Sequence, residues 1–246
     1  MSDITLSDLS VCVDGYLEGA WFDEKQLPSP VNPRSTSREE LALAKYKMWD
    51  PGQILRVQFL DGEEALWKKV EGQAREWLKY ANLEFEFGNF LDAEIRVTFK
   101  GSGYSSLVGI DALRCPAPHS TMILGGFTKN IDPVELQRVV IHEFGHAIGC
   151  VHEQSSPSIN IPWDREKVYA YYRSCIGWDK AKVDHNVFKR YAKSEVFFTD
   201  HHDPKSIMQY PVPNELTIGD FEIGWNTELS EMDKVFIAKM YPYEHR

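Results

Sequence analysis

Apolar and polar residues alternate along QILRVQFL (residues 53–60), with Val57 and Phe59 on one face, and this period of two predicts a strand. LEFEF (83–87) and EIRVTF (94–99) alternate in the same way. YSSLVGI (104–110) and STMILGG (120–126) read as two further short strands between Gly- and Pro-containing turns. Between the first two strands the period lengthens: Leu66, Val70, Ala74, Trp77 and Leu78 recur at helical spacing within EALWKKVEGQAREWLKYA (64–81). A second long helix is predicted over DPVELQRVVIHEFGHAIG (132–149), with Asp132 as N-cap and Pro133 in the first helical position.

The flanks are less regular. LPSPVNPRSTS (27–37) reads as an extended linker, REELALAKYKMW (38–49) as a short helix, and DPG (50–52) as a turn. Beyond residue 152 the chain is loop-rich, with helical stretches around 164–174 and 179–192. SEMDKVFIAKMY (230–241) predicts a final helix capped by Ser230, its contacts supplied by Val235, Ile237, Ala238 and Met240. The fold class is therefore α/β: a mixed twisted sheet with two long helices, then a loop-rich half, and a cleft between them. Residues 1–47 read as an N-terminal extension and linker, and 48–246 as one compact domain.

The net charge is -10 and no Lys/Arg cluster offsets it, which argues against a nucleic-acid partner. No run of eighteen apolar residues exists, so no membrane span is expected, and the N-terminus does not resemble a signal peptide. A monomer is the expected state. Four scattered cysteines (Cys12, Cys115, Cys150, Cys175) admit two bridges, four thiols or a mixture. The compartment stays open.

HEFGHAIGCVHEQ (142–154) holds three of the eight histidines. On a helix, residues four apart share a face, so His142 and His146 can bind one zinc ion, with Glu143 beside them as general base toward water. Zinc needs more than two protein ligands. Gly149 can leave the helix in a left-handed turn that brings His152 back as the third. The match at Gly149 and His152 as well as H-E-x-x-H makes a zinc site the favoured reading over chance. TDHHDP (199–204) and Cys115 with His119 read as loops rather than second metal sites.

This segment resembles the H-E-x-x-H-x-x-G-x-x-H signature of the metzincin zinc endopeptidases. SIMQY (206–210) is similar to the methionine turn of the astacin family, and Glu153 after the third histidine is another mark of that family. MWDPGQILRVQF and GWNTELSEMDKVFIAKMYP resemble the opening and closing segments of astacin-type catalytic domains, the latter in microbial relatives. The resemblance covers about residues 48–242. It implies a peptidase acting on protein or peptide substrates with one zinc ion on His142, His146 and His152, and with Glu143 as general base. Met208 would lie beneath the metal as a structural floor, and Tyr210 would stabilise the charged intermediate.

The family is mostly secreted. Its animal members carry disulfides that these cysteines do not match, and Cys150 stands where phenylalanine is usual. In those relatives the glutamate after the third histidine binds an N-terminus freed by processing, a partner Glu153 gains only on cleavage near residue 40. Relatives often favour acidic residues after the cut; Lys205 and Arg190 are candidates for a basic wall, but no spacing rule places either. Metzincins are commonly held latent by a preceding segment, and Cys12 is the candidate latency ligand. The alternatives are a non-catalytic zinc-containing peptide-binding module and a precursor inhibited by its own N-terminal segment.

Overall fold

The structure, a computed structural model, describes Cys12–Asp14 and residues 43–243. The linker at 27–37 and the remainder of the N-terminal extension lie outside the described residues. The strands are β1 (Cys12–Asp14), β2 (Leu43–Ala44), β3 (Ile54–Phe59), β4 (Glu84–Phe87), β5 (Ile95–Thr98), β6 (Tyr104–Ser106), β7 (Met122–Leu124) and β8 (Val196–Phe197). Six of them form one mixed sheet in the order β1-β6-β7-β5-β3-β4. β3 runs parallel to β4 and β5, and β5 parallel to β7, whereas β6 is antiparallel to β7. β1 adds parallel to β6, pairing Cys12 with Tyr104 and Asp14 with Ser106.

Alternation placed β3, β4 and β5 correctly. β6 and β7 fall within the two further short strands expected, although 104–110 is extended only to Ser106 and turns at Gly109–Arg114, and β1, β2 and β8 were not expected. In β3, Leu55 and Val57 are fully buried while Ile54 faces outward. β5 departs from simple alternation because Arg96 is buried as well. Its guanidinium donates to Ala93 O at 2.6 Å, Cys115 O at 2.7 Å and His119 O at 2.6 Å. A buried cation so satisfied fixes the 115–119 loop, which is the loop expected there.

Helix α1 (Glu64–Ala74) stops earlier than its periodicity implies, and a tight turn follows at Trp77–Lys79. Trp77 is fully buried, and its indole Nε1 donates to Ile141 O at 2.7 Å, drawing the chain onto the next helix. That helix, α2 (Pro133–Ala147), begins as expected, with Asp132 accepting from Val134 N and Glu135 N. Every residue from Val139 to Ala147 is buried. Val140, Ile141, Phe144 and Ile148 join the main core with Leu55, Val57, Phe85 and Val97, and Phe144 meets Phe85 edge-on at 5.2 Å.

Three expectations are corrected. Leu43–Ala44 forms no helix but pairs antiparallel with Val196–Phe197, and Lys45 N extends the pairing to Glu195 O. Helix-forming composition yields here to a tertiary strand partner. The stretch at 179–192 is helical only as α4 (Lys180–Val183) and one wider turn at Asp184–Phe188, where the Asn186 side chain takes the Lys182 carbonyl. In the last helix, α5 (Glu231–Met240), Val235 is exposed, and Phe236 with Ile237 faces the core. Ser230 caps α5 as expected, in a reciprocal box with Asp233.

The C-terminal half has a smaller core of its own. Val168 and Tyr172 of α3 (Arg165–Ile176) meet Trp178, Val183, Val187 and Leu216, and Tyr172 stacks on Trp178. Cys115, Cys150 and Cys175 are free thiols, so two bridges do not form. No described helix is long and apolar enough to cross a membrane.

Candidate active site

The buried end of α2 carries two of the three candidate metal ligands. His142 and His146 lie one turn apart with ring centroids at 4.8 Å, and His152 closes the group at 5.2 Å and 4.6 Å from them. Gly149 makes this convergence possible. Its φ of 104° is left-handed, Cys150 N reaches Gly145 O at 2.9 Å, and Gly149 N reaches His146 O at 2.8 Å. These two bonds close the helix in a Schellman motif and reverse the chain toward His152. The carbonyls left over at the helix end are met from both ends of the domain. Trp49 Nε1 donates to Ala147 O at 2.8 Å, and the Tyr241 hydroxyl to Ile148 O at 2.6 Å. Gly149→Ala is expected to destabilise the protein by about 1–2 kcal/mol through its φ alone and to weaken metal binding as well. Thermal melts with and without a chelator check both effects; an unchanged melting temperature would contradict this role.

A metal ion fits the group. The His142 ring Nδ1 donates to Ile207 O at 2.7 Å, and His146 Nδ1 to Cys150 O at 2.8 Å, so each ring is oriented with its Nε2 toward the other histidines. Nε2 of His142 is buried with no hydrogen-bond partner among the described residues. Nε2 of His146 and of His152 lie 3.1 Å apart. Nitrogens about 2.0–2.1 Å from zinc in a tetrahedral site are about 3.3 Å from each other, close to that separation. The candidate ligand atoms of all three residues lie within 4.8 Å of one another, the one such group found among the described residues. Burial, followed by the two neighbouring histidines, holds the His142 imidazole well below its ordinary range, in the neutral form that binds metals.

Glu143 is 1% exposed and lines a narrow recess with His142, Tyr104, Arg138, Tyr210 and Trp225. Neither Lys205 nor Arg190 borders this recess. Arg138 does, gripped by Glu135 at 2.7 Å and lying 4.2 Å from the Trp225 ring centre. Tyr210 is half-buried, its ring 4.1 Å from that of His152, and its backbone N donates to Gln154 Oε1 at 3.2 Å. Met208 is fully buried beneath the helix. A Cβ on Gly145 would sit 2.5 Å from Met208 Sδ and 2.9 Å from Trp77, so only glycine lets the methionine approach this closely. His201 and His202 do not join a metal group; His202 instead meets Gln209 Oε1 at 2.9 Å.

Asp233 escaped sequence reading as anything beyond a helix residue. Fully buried, it accepts from Ser206 Oγ at 2.7 Å, Ile207 N at 2.8 Å and Ser230 N at 3.0 Å. Since Ile207 O receives the His142 proton, Asp233 holds the turn that orients a candidate ligand. The signal was the spacing S-x-x-D, legible only as a cap. Nearby, Glu153 Oε1 accepts from Asp203 N, while its Oε2 has no hydrogen-bond partner among the described residues.

Burial pushes the Asp233 carboxyl up to about 6, against the three hydrogen bonds that lower it. In the unfolded chain this group ionises near 3.8, so between about pH 4 and 6 the unfolded state sheds a proton that the native state keeps. Stability from this group is thus present below pH 4 and lost as pH rises through 6, on the order of 3 kcal/mol in all. The melting temperature of Asp233→Asn is expected to fall less steeply across that window than that of the wild type. Parallel profiles would contradict the assignment.

No protein-family model matches the chain, and no curated protein matches it. A solved structure of myroilysin is 40% identical over 83% of this chain and 100% of that chain, with a TM-score of 0.80. The chain belongs to the astacin-like zinc metalloendopeptidases. A second myroilysin crystal structure matches at 34% identity over 98% of this chain and 94% of that one, with a TM-score of 0.67. High choriolytic enzyme 1, a hatching-enzyme zinc-protease from Oryzias latipes (medaka fish), shares the fold at 17% identity, covering 83% of this chain and 98% of its own, with a TM-score of 0.53. Within this family frame, Trp49 and Tyr241 belong to the two terminal segments whose resemblance the sequence displayed. Their shared physical task is to close the end of α2.

Proposed function

We propose that the chain hydrolyses internal peptide bonds, with one zinc ion on His142, His146 and His152 and Glu143 as general base. The observation that carries this reading is the convergence of three buried imidazoles beside a buried carboxylate on a cleft floor. Zinc, when bound, acidifies water and polarises a carbonyl. Glu143 then accepts the proton of the attacking water and returns it to the leaving amine nitrogen. The Tyr210 hydroxyl donates a hydrogen bond to the oxygen that gains negative charge during attack. Met208 supports the histidines from below, and residues 48–246 act as the catalytic domain. A non-catalytic peptide-binding module would have no chemical use for a buried carboxylate at the position of Glu143. Cleavage of a quenched-fluorescence peptide library, abolished by a chelator and restored by zinc, is the test.

A second reading is favoured by β1: residues 1–47 hold the full-length chain latent. Tyr104 lines the recess with Glu143, and β1 pairs with Tyr104 through Cys12. An extended substrate would add to the same strand edge, so β1 and substrate compete for one row of backbone groups. Thiolate is a good zinc ligand, which gives Cys12 its role in this reading. Cys12→Ala is expected to raise peptide turnover of the full-length chain at least tenfold. Unchanged turnover would remove Cys12 from the mechanism of latency.

A further inference from the structure

A second cavity, of about 290 Å³, opens in the C-terminal half, and none of the three clustered histidines lines it. Its walls are apolar: Ile159, Ile161, Trp163, Val187 and Phe188 contribute. A ring the size of benzene fills a cavity of roughly 150 Å³, so this volume admits a ring and a short chain. No carboxylate lines it, although the protein carries a net charge of -10. Two arginines do, and they differ. Arg165 is neutralised, its guanidinium 2.7 Å from Asp184 and 4.0 Å from the Phe188 ring centre. Arg190 is exposed, donates to Pro157 O at 2.7 Å, and meets no carboxylate among the described residues. Its planar fork therefore retains donors suited to an oxyanion at the mouth of an apolar chamber.

We infer that this cavity is a binding site for a carboxylate carried on an apolar stem, with the stem against Ile161, Trp163 and Phe188 and the carboxylate on Arg190. The assignment is independent of the peptidase reading, since no residue of the histidine group lines the cavity. Gln154 links the two regions: it borders the cavity, and its Oε1 holds the backbone of Tyr210. The ligand is either a free arylalkyl acid or the C-terminal carboxylate of a peptide ending in an apolar residue.

The test is isothermal titration of the full-length protein with 4-phenylbutyrate and with its uncharged amide, repeated on Arg190→Gln. The acid is expected to bind at least tenfold more tightly than the amide, and Arg190→Gln to erase that advantage while peptide turnover stays unchanged. Equal binding of acid and amide would overturn the inference, as would the absence of binding. So would an acid preference that survives Arg190→Gln, because that carboxylate would be lodged at the histidines instead. A short peptide with a free C-terminal phenylalanine that displaces phenylbutyrate would identify the peptide terminus as the source. Binding of the free acid without such displacement would identify a small acid. Either result supports the shared chemistry.

Discussion

Glu143→Ala, made in the Cys12→Ala background, is expected to lower kcat/KM for peptide cleavage by about 10⁴-fold, the upper range for removal of a general base. Zinc content should stay at the level of the parent, because Glu143 is no candidate ligand. The distinction matters, since the residue is buried among groups that also build the site. A base that merely packed against the histidines would, when truncated, reduce metal content and activity in proportion. Steady-state kinetics with metal analysis on the same samples separates the two cases. A variant with full zinc and parental turnover would remove Glu143 from the reaction.

His152→Ala is expected to have the second-largest effect, bringing zinc content below one-tenth of the wild-type value after dialysis and turnover below detection. His152 is fully buried, and it reaches the group only through the left-handed turn at Gly149. Its loss leaves two nitrogens on one helix, fewer protein ligands than zinc sites use. Zinc held by the three histidines would also stabilise the fold, because a metal that binds only the native chain stabilises it by mass action. The melting temperature of the variant should therefore become insensitive to a chelator, whereas that of the wild type falls. A variant that retains stoichiometric zinc would show that the ion is held elsewhere.

Much of this site was legible in one stretch of sequence, and the reasons are local. The four-residue spacing of His142 and His146 needs only a helix, and the route to His152 needs only a glycine able to adopt positive φ. The Schellman closure at Gly149 is the structural form of that expectation. Sheet order was not local information: alternation placed β3, β4 and β5, but β1 was not expected as a strand, and its pairing with β6 depends on contacts some ninety residues apart. The same holds for Leu43–Ala44, where composition favoured a helix and a distant strand decided otherwise. Arg138 and Asp233 stayed hidden for a further reason. Each acts through a partner far along the chain, Trp225 for the first and Ile207 for the second, and neither pairing leaves a periodic trace.

Cleavage of an unfolded protein substrate in ¹⁸O-enriched water tests the proposed chemistry most directly. Zinc-loaded Cys12→Ala protein is incubated with the substrate, and new termini are read by mass spectrometry. The expected result is a set of internal cuts whose new C-terminal carboxyl groups each carry ¹⁸O, absent when Glu143 is also replaced by alanine. Zinc-loaded protein that binds the substrate yet produces no new termini would contradict hydrolysis and establish a peptide-binding module instead.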